Sequence, residues 1–138
     1  METVKILGFT GTRIGMTSLQ QNTLRDALVG VKILVHGNCI GADDQANQIA
    51  MDLGIVREIY PSNIPGRREH RSLLGALVHA PSPPLVRNKR IVKRCDLLFA
   101  APRGPETVRS GTWATIRYAR KVGKRILVVM PNGILTTF

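Results

Sequence analysis

The chain has 138 residues, 43% of them hydrophobic and 4% aromatic, and its twenty Lys and Arg against nine Asp and Glu leave a net charge of +11. One compact domain spanning 1–138 is the expectation at that length, and the ordinary hydrophobic fraction argues against disorder, a collagen repeat, a disulfide framework and a coiled coil. No apolar run approaches the ~20 residues of a membrane span, and Met1–Gly8 is short for a secretory leader and carries Glu2. The sequence therefore predicts a cytoplasmic protein, with no membrane partner, whose two cysteines, Cys39 and Cys95, stay free.

Apolar residues alternate between strand and helix periods along the chain. Val4–Phe9 reads as a short buried strand, and Thr17 with Gln20 forms a capping box that opens a helix to about Val29. Val31–His36 is a second strand. A helix with Ala46, Ile49, Ala50 and Leu53 on one face follows and stops at Gly54, and Ile55–Tyr60 is a third strand.

The stretch 61–84 breaks this rhythm with five prolines and the basic string Arg67-Arg68-Glu69-His70-Arg71. Ser72–His79 is expected to form one or two helical turns within it, and a basic excursion of this length reads as a lid or a detour over a binding face. Pro84 suits the first position of a helix carrying Leu85, Asn88, Ile91, Val92 and Cys95, and Asp96–Ala101 is a fourth strand. Thr112–Val122 is a helix stopped by Gly123, and Arg125–Met130 is a fifth strand before a short tail. Strands alternating with helices specify an α/β protein with a mainly parallel sheet of about five strands, covered on both faces.

The charge is unevenly placed. Residues 1–56 hold Lys5, Arg13, Arg25 and Lys32 against Glu2, Asp26, Asp43, Asp44 and Asp52, a net of −1, so the remaining 82 residues carry +12. A merely solvated surface would scatter these cations. They cluster instead around Pro-rich and Gly-rich loops, which points to an anionic partner.

In an open α/β sheet ligands sit beyond the carboxyl ends of the strands. The loop after the first strand, Thr10–Met16, has glycines at 11 and 15 and Arg13, and reads equally as a tight turn or as a phosphate cradle. After the second strand, His36-Gly37-Asn38-Cys39-Ile40-Gly41 leads into Asp43 and Asp44, carboxylates placed to complement the helix dipole or to accept from ribose hydroxyls. One His and one Cys fall short of the three or four ligands a metal needs, so no metal is expected, and His36 reads as a structural histidine. After the fourth strand, Arg103 and then Arg109-Ser110-Gly111-Thr112 offer free helix N–H groups, hydroxyls and charge, the strongest local phosphate signal. Trp113, on one helical face with Ile116, reads as core.

Gly8–Arg13, His36–Asp43, Arg87-Asn88 ahead of Asp96, and Arg109–Thr115 together resemble the SLOG superfamily, similar to the Lonely Guy (LOG) proteins, the YspA-like proteins and the Rossmann-like core of DNA-processing protein A. The likeness spans about residues 3–133 and is nearest to the small single-domain SLOG proteins of bacteria and their phages. It implies a Rossmann-like three-layer sandwich that binds nucleotides, with no further cofactor, often as a homo-oligomer in which helices near Leu85–Cys95 and Thr112–Val122 pack between subunits.

LOG enzymes are nucleoside-monophosphate phosphoribohydrolases with an Arg-Lys pair and a Gly-Thr-x-x-Glu motif. Arg87-Asn88 stands where the pair would be, and Gly111-Thr112 matches the Gly-Thr, but Thr115 replaces the Glu. Glycosidic cleavage wants a carboxylate to orient water and stabilise positive charge, so catalysis would fall to Asp43 or Asp44 with Arg87. Enzymatic activity is thus left open.

The leading expectation is a sensor or a sponge-like, anti-defence sequestering protein for a nucleotide-derived signal, such as a cyclic nucleotide or an ADP-ribose derivative. Its contacts would be Gly11, Thr12, Arg13, Gly41, Asp43, Arg87, Asn88, Arg109, Ser110, Gly111 and Thr112. A LOG-type N-glycosidase is the alternative, and a nucleic-acid-binding protein is a third reading that the few aromatics weaken.

Overall fold

The computed structural model describes residues 3–64 and 73–137. The basic string at 67–71 and Pro65 lie outside the described residues. The elements in chain order are β1 (Ile6–Gly11), α1 (Ser18–Ala27), β2 (Ile33–His36), α2 (Ala42–Asp52), β3 (Val56–Ile59), β4 (Leu77–Val78), α3 (Pro84–Arg94), β5 (Leu97–Ala101), α4 (Gly111–Lys121), β6 (Ile126–Val129) and β7 (Leu135–Thr137). They build a seven-stranded sheet in the order β4-β3-β2-β1-β5-β6-β7, all parallel except the β6–β7 pair. This is a Rossmann-like α/β fold.

Strand side chains alternate faces, and the apolar residues on each face choose a helical layer. Leu7, Phe9, Leu34, Phe99 and Val129 pack against Leu24 and Leu28 from the first helical layer and Ala46 and Ile49 from α2. Val35, Leu98, Ala100, Ile126 and Val128 pack on the other face against Ile91, Val92, Trp113 and Ile116 of α3 and α4. Charge follows the layers. Helices α1 and α2 hold Arg25 against Asp26, Asp43, Asp44 and Asp52. Helix α3 holds Arg87, Lys89, Arg90, Lys93 and Arg94, α4 holds Arg117, Arg120 and Lys121, and neither contains a carboxylate.

Helix boundaries follow local chemistry. Thr17 Oγ1 accepts from Gln20 N at 3.2 Å while Gln20 Oε1 accepts from Thr17 N at 3.0 Å, the reciprocal capping box. Pro84 occupies the first turn of α3, where its missing N–H costs nothing. Buried Gln20 also donates to the carbonyls of Pro102 and Val129, both at 2.9 Å, and so ties α1 to the exits of β5 and β6.

Two short strands add to the expected five. Instead of helical turns, residues 73–79 form a turn at Leu74-Gly75 and then β4, which extends the sheet beside β3. Gly75 at φ 82° takes the left-handed conformation that ends a helical turn, and a two-residue strand is too short to show periodicity. The tail folds back through Pro131-Asn132-Gly133: Gly133 N donates to Met130 O at 2.8 Å and Asn132 Oδ1 accepts from Ile134 N at 3.1 Å. The Asn-Gly pair is the hairpin signal that places β7 antiparallel to β6.

Candidate functional site

Strand β1 is the centre of the sheet. The chain builds outward from it to β4, then crosses over to place β5 on its other side, so the order reverses between β1 and β5. At their carboxyl ends Thr10 pairs with Ala100 and Gly11 with Ala101, and Thr12 N donates to Ala101 O at 3.1 Å. A crevice at this switch point is the general ligand position of the fold. Here it opens into a cavity of about 900 Å³.

Three sequence-identified loops meet there. The β1 exit contributes Thr10, Gly11, Thr12 and Arg13, the β2 exit Gly37, Cys39 and Asp43, and the β5 exit Arg103, Arg109, Ser110, Gly111 and Thr112. Helix α3 adds Arg87 and Asn88. Of the residues picked out in sequence, Gly41 and Asp44 do not line the cavity.

Gly41 instead lets two loops touch. Its φ is 83°, and a Cβ there would stand 2.2 Å from the Arg13 carbonyl oxygen. Beside it Ala42 N donates to Thr12 O at 2.9 Å, knitting the start of α2 to the loop after β1.

The β2 exit is braced from within. Asp43 is 5% exposed, and its Oδ2 accepts from Gly37 N at 3.2 Å and Cys39 N at 3.1 Å. Between them Asn38, at φ 56°, donates its N–H to His36 Nδ1 at 2.9 Å. The N–H groups of Gly37 and Cys39 form a small anion nest, and the anion they hold is the protein's own carboxylate. Because Nδ1 accepts, the His36 Nε2 carries the proton and donates to Asn47 Oδ1 at 3.0 Å. Burial holds the His36 imidazole below its ordinary pKa although the Asp43 charge pulls the other way. It is a neutral structural residue, as its place in the sequence suggests.

Arg87 is buried against this loop. Its Nη1 donates to Gly37 O at 2.7 Å and Tyr60 O at 3.3 Å, its Nη2 to Cys39 Sγ at 3.4 Å and its Nε to Asn88 Oδ1 at 2.9 Å. Gly37 is small to make room: a Cβ there would lie 2.3 Å from Arg87 Nη1. Burial and the Asp43 charge push the Cys39 thiol up to about 11, so it stays protonated at neutral pH. Among the described residues no three His, Cys, Asp or Glu side chains group to hold a metal.

The other two loops present charge to the cavity. Ser110 caps α4, its Oγ accepting from Trp113 N at 3.2 Å, and the first turn carries no acid. The N–H groups of Gly111 and Thr112 at this helix start have no acceptor within the helix, and the positive end of the dipole lies behind them. Trp113 is core, and its Nε1 donates to Gly104 O at 3.0 Å. Arg117 grips the same loop through Glu106 at 3.0 Å and Thr107 O at 3.2 Å. Arg13, Arg103 and Arg109 are exposed along the cavity and form no hydrogen bond or ion pair among the described residues. The only carboxylate lining the cavity among them is Asp43.

The chain is thus an α/β protein with a cation-lined cavity at the switch point of a Rossmann-like sheet. It matches no protein-family model and no curated protein. Its fold is similar to that of the molybdenum cofactor binding protein from the phototrophic bacterium Rippkaea orientalis, with 18% identity and a TM-score of 0.69, over 91% of this chain and 76% of that one. It is also similar to that of TM1055, with 15% identity and a TM-score of 0.64, over 88% of this chain and 72% of that one. No helix among the described residues is long and apolar enough to cross a membrane.

Proposed function

We propose that the protein binds a nucleotide or nucleotide-derived signal through its phosphates, as a sensor or sequestering protein. The observation that carries this is the convergence of Arg13, Arg103 and Arg109 with the acid-free start of α4 on one cavity. Each charge-assisted hydrogen bond to a phosphate oxygen contributes about 1.5–3 kcal/mol. A cavity of about 900 Å³ is at the upper end for a small-molecule site and has room for a base and ribose beyond the phosphates. The fold neighbour named for binding the molybdenum cofactor agrees with a small organic ligand. Calorimetry against mononucleotides, dinucleotides, cyclic nucleotides and ADP-ribose tests the proposal. Binding by at least one, weakened in Arg109→Ala, is expected, and no binding by any overturns it.

A second reading, the LOG-type N-glycosidase, rests on Asp43 lining the same cavity beside Arg87. Asp43 already accepts two backbone N–H groups, and Arg87 is committed to four partners, so both act first as braces. Release of free base from nucleoside monophosphates, lost in Asp43→Asn with folding intact, would establish this activity. No release from any of them ends it.

A further inference from the structure

A second charged feature lies outside the cavity. The eight cations of α3 and α4 share one layer of the molecule, and the two helices pack side by side, with Lys89 Nζ 5.5 Å from the centre of the Tyr118 ring. Glu58 engages Arg94 at 3.1 Å, and Glu106 engages Arg117 at 3.0 Å and Arg120 at 4.0 Å. Lys89, Arg90, Lys93 and Lys121 are exposed and form no ion pair among the described residues. None of these four lines the cavity. Lys89 and Lys93 are four residues apart, so they stand about 6 Å apart along one stripe of α3.

We propose that this outer face of α3 and α4 docks on the phosphate backbone of double-stranded DNA. Charge complementarity selects the occupant. A second copy placed here by a two-fold axis, the packing that the family resemblance implies for these helices, would set the same cations against one another, since such an interface is self-complementary. Single strands are held by stacking on open rings. Here Trp113 is buried and Tyr118 is half-buried beneath Lys89, so the face offers no such platform. Ammonium and guanidinium groups dominate the exposed polar chemistry of the two helices, and spread over two helices they meet phosphate oxygens, which every sequence presents alike. The contact is therefore sequence-independent and salt-sensitive.

The test is fluorescence anisotropy of a labelled 20-base-pair DNA duplex titrated with the full chain from 50 to 200 mM salt. Four neutralised phosphates give a slope of log affinity on log salt of about −3.6, a loss of about 150-fold across that range. Replacing Lys89, Arg90, Lys93 and Lys121 together by Gln should abolish most of that slope. The paired variants Lys89→Gln with Lys93→Gln, and Arg90→Gln with Lys121→Gln, should each about halve it, and serve if the fourfold variant does not fold. Arg103→Ala with Arg109→Ala should leave it unchanged. The proposal is overturned by an absence of duplex binding at 50 mM salt or by a slope indifferent to the Gln variants. Tighter binding of a matched single strand or of duplex RNA overturns it as well.

Discussion

Arg87→Ala should destabilise the protein by about 3–6 kcal/mol. The guanidinium satisfies two backbone carbonyls, Gly37 O at 2.7 Å and Tyr60 O at 3.3 Å, and bonds to a charged donor contribute about 1.5–3 kcal/mol each. A 138-residue domain has a total stability of roughly 7–20 kcal/mol, so the loss is a large share of it. Urea unfolding followed by circular dichroism measures the change as a lower midpoint at constant slope. Gly37→Ala supplies the internal check. Its Cβ would press within 2.3 Å of Arg87 Nη1, so it is costly in the wild type but cheap once Arg87 is gone. The double-mutant cycle should therefore show coupling of about 1 kcal/mol or more. Arg109→Ala, which removes an exposed and unpaired side chain, should stay within about 0.5 kcal/mol. A cost below about 1 kcal/mol for Arg87→Ala, or strict additivity with Gly37→Ala, would refute the view of Arg87 as the brace of this loop.

Two further outcomes follow from the groups around that brace. Burial depresses the His36 pKa, so the unfolded chain binds a proton that the folded one refuses. Stability from this group is then full above pH 6.5 and falls as pH drops below it, by up to about 1.4 kcal/mol per unit. Urea midpoints between pH 7.5 and 5.5 should show this fall in the wild type and a flatter profile in His36→Asn; equal slopes would contradict it. With the Cys39 thiol pushed up to about 11, alkylation at pH 8 should be slow and should slow further when a nucleotide fills the cavity. Buried Cys95, also raised to about 11 and packed under Gly8, should react slowly with or without ligand. Peptide mass spectrometry reads both thiols, and protection of Cys95 alone would count against the site.

Much of this architecture is legible in the sequence because its signals are local. The Thr17–Gln20 box, Pro84 at the start of α3 and the glycines at 54 and 123 each act within a turn of the residue they govern. The loops at the strand ends are likewise found, because the βαβ rule says where to look. What stays hidden is how side chains are spent. Arg87 reaches Gly37 across 50 residues and Gln20 reaches Val129 across 109, and no spacing rule encodes either. Thus the motif that reads as three ligand-holding loops divides in the folded chain. The β2 exit fills its nest with Asp43, and the β1 and β5 exits carry the uncommitted arginines. Cys39 and Arg103 also line the cavity, and the signal for both is membership of a loop at a strand end.

That phosphates supply the affinity of this cavity can be measured without knowing which base it prefers. Inorganic pyrophosphate and the common nucleosides are titrated calorimetrically into the wild type and into Arg103→Ala and Arg109→Ala. Pyrophosphate should bind better than any nucleoside, and each variant should weaken it about tenfold or more, the loss of one charge-assisted bond. Nucleosides binding as well as pyrophosphate, or pyrophosphate affinity untouched in both variants, would contradict it.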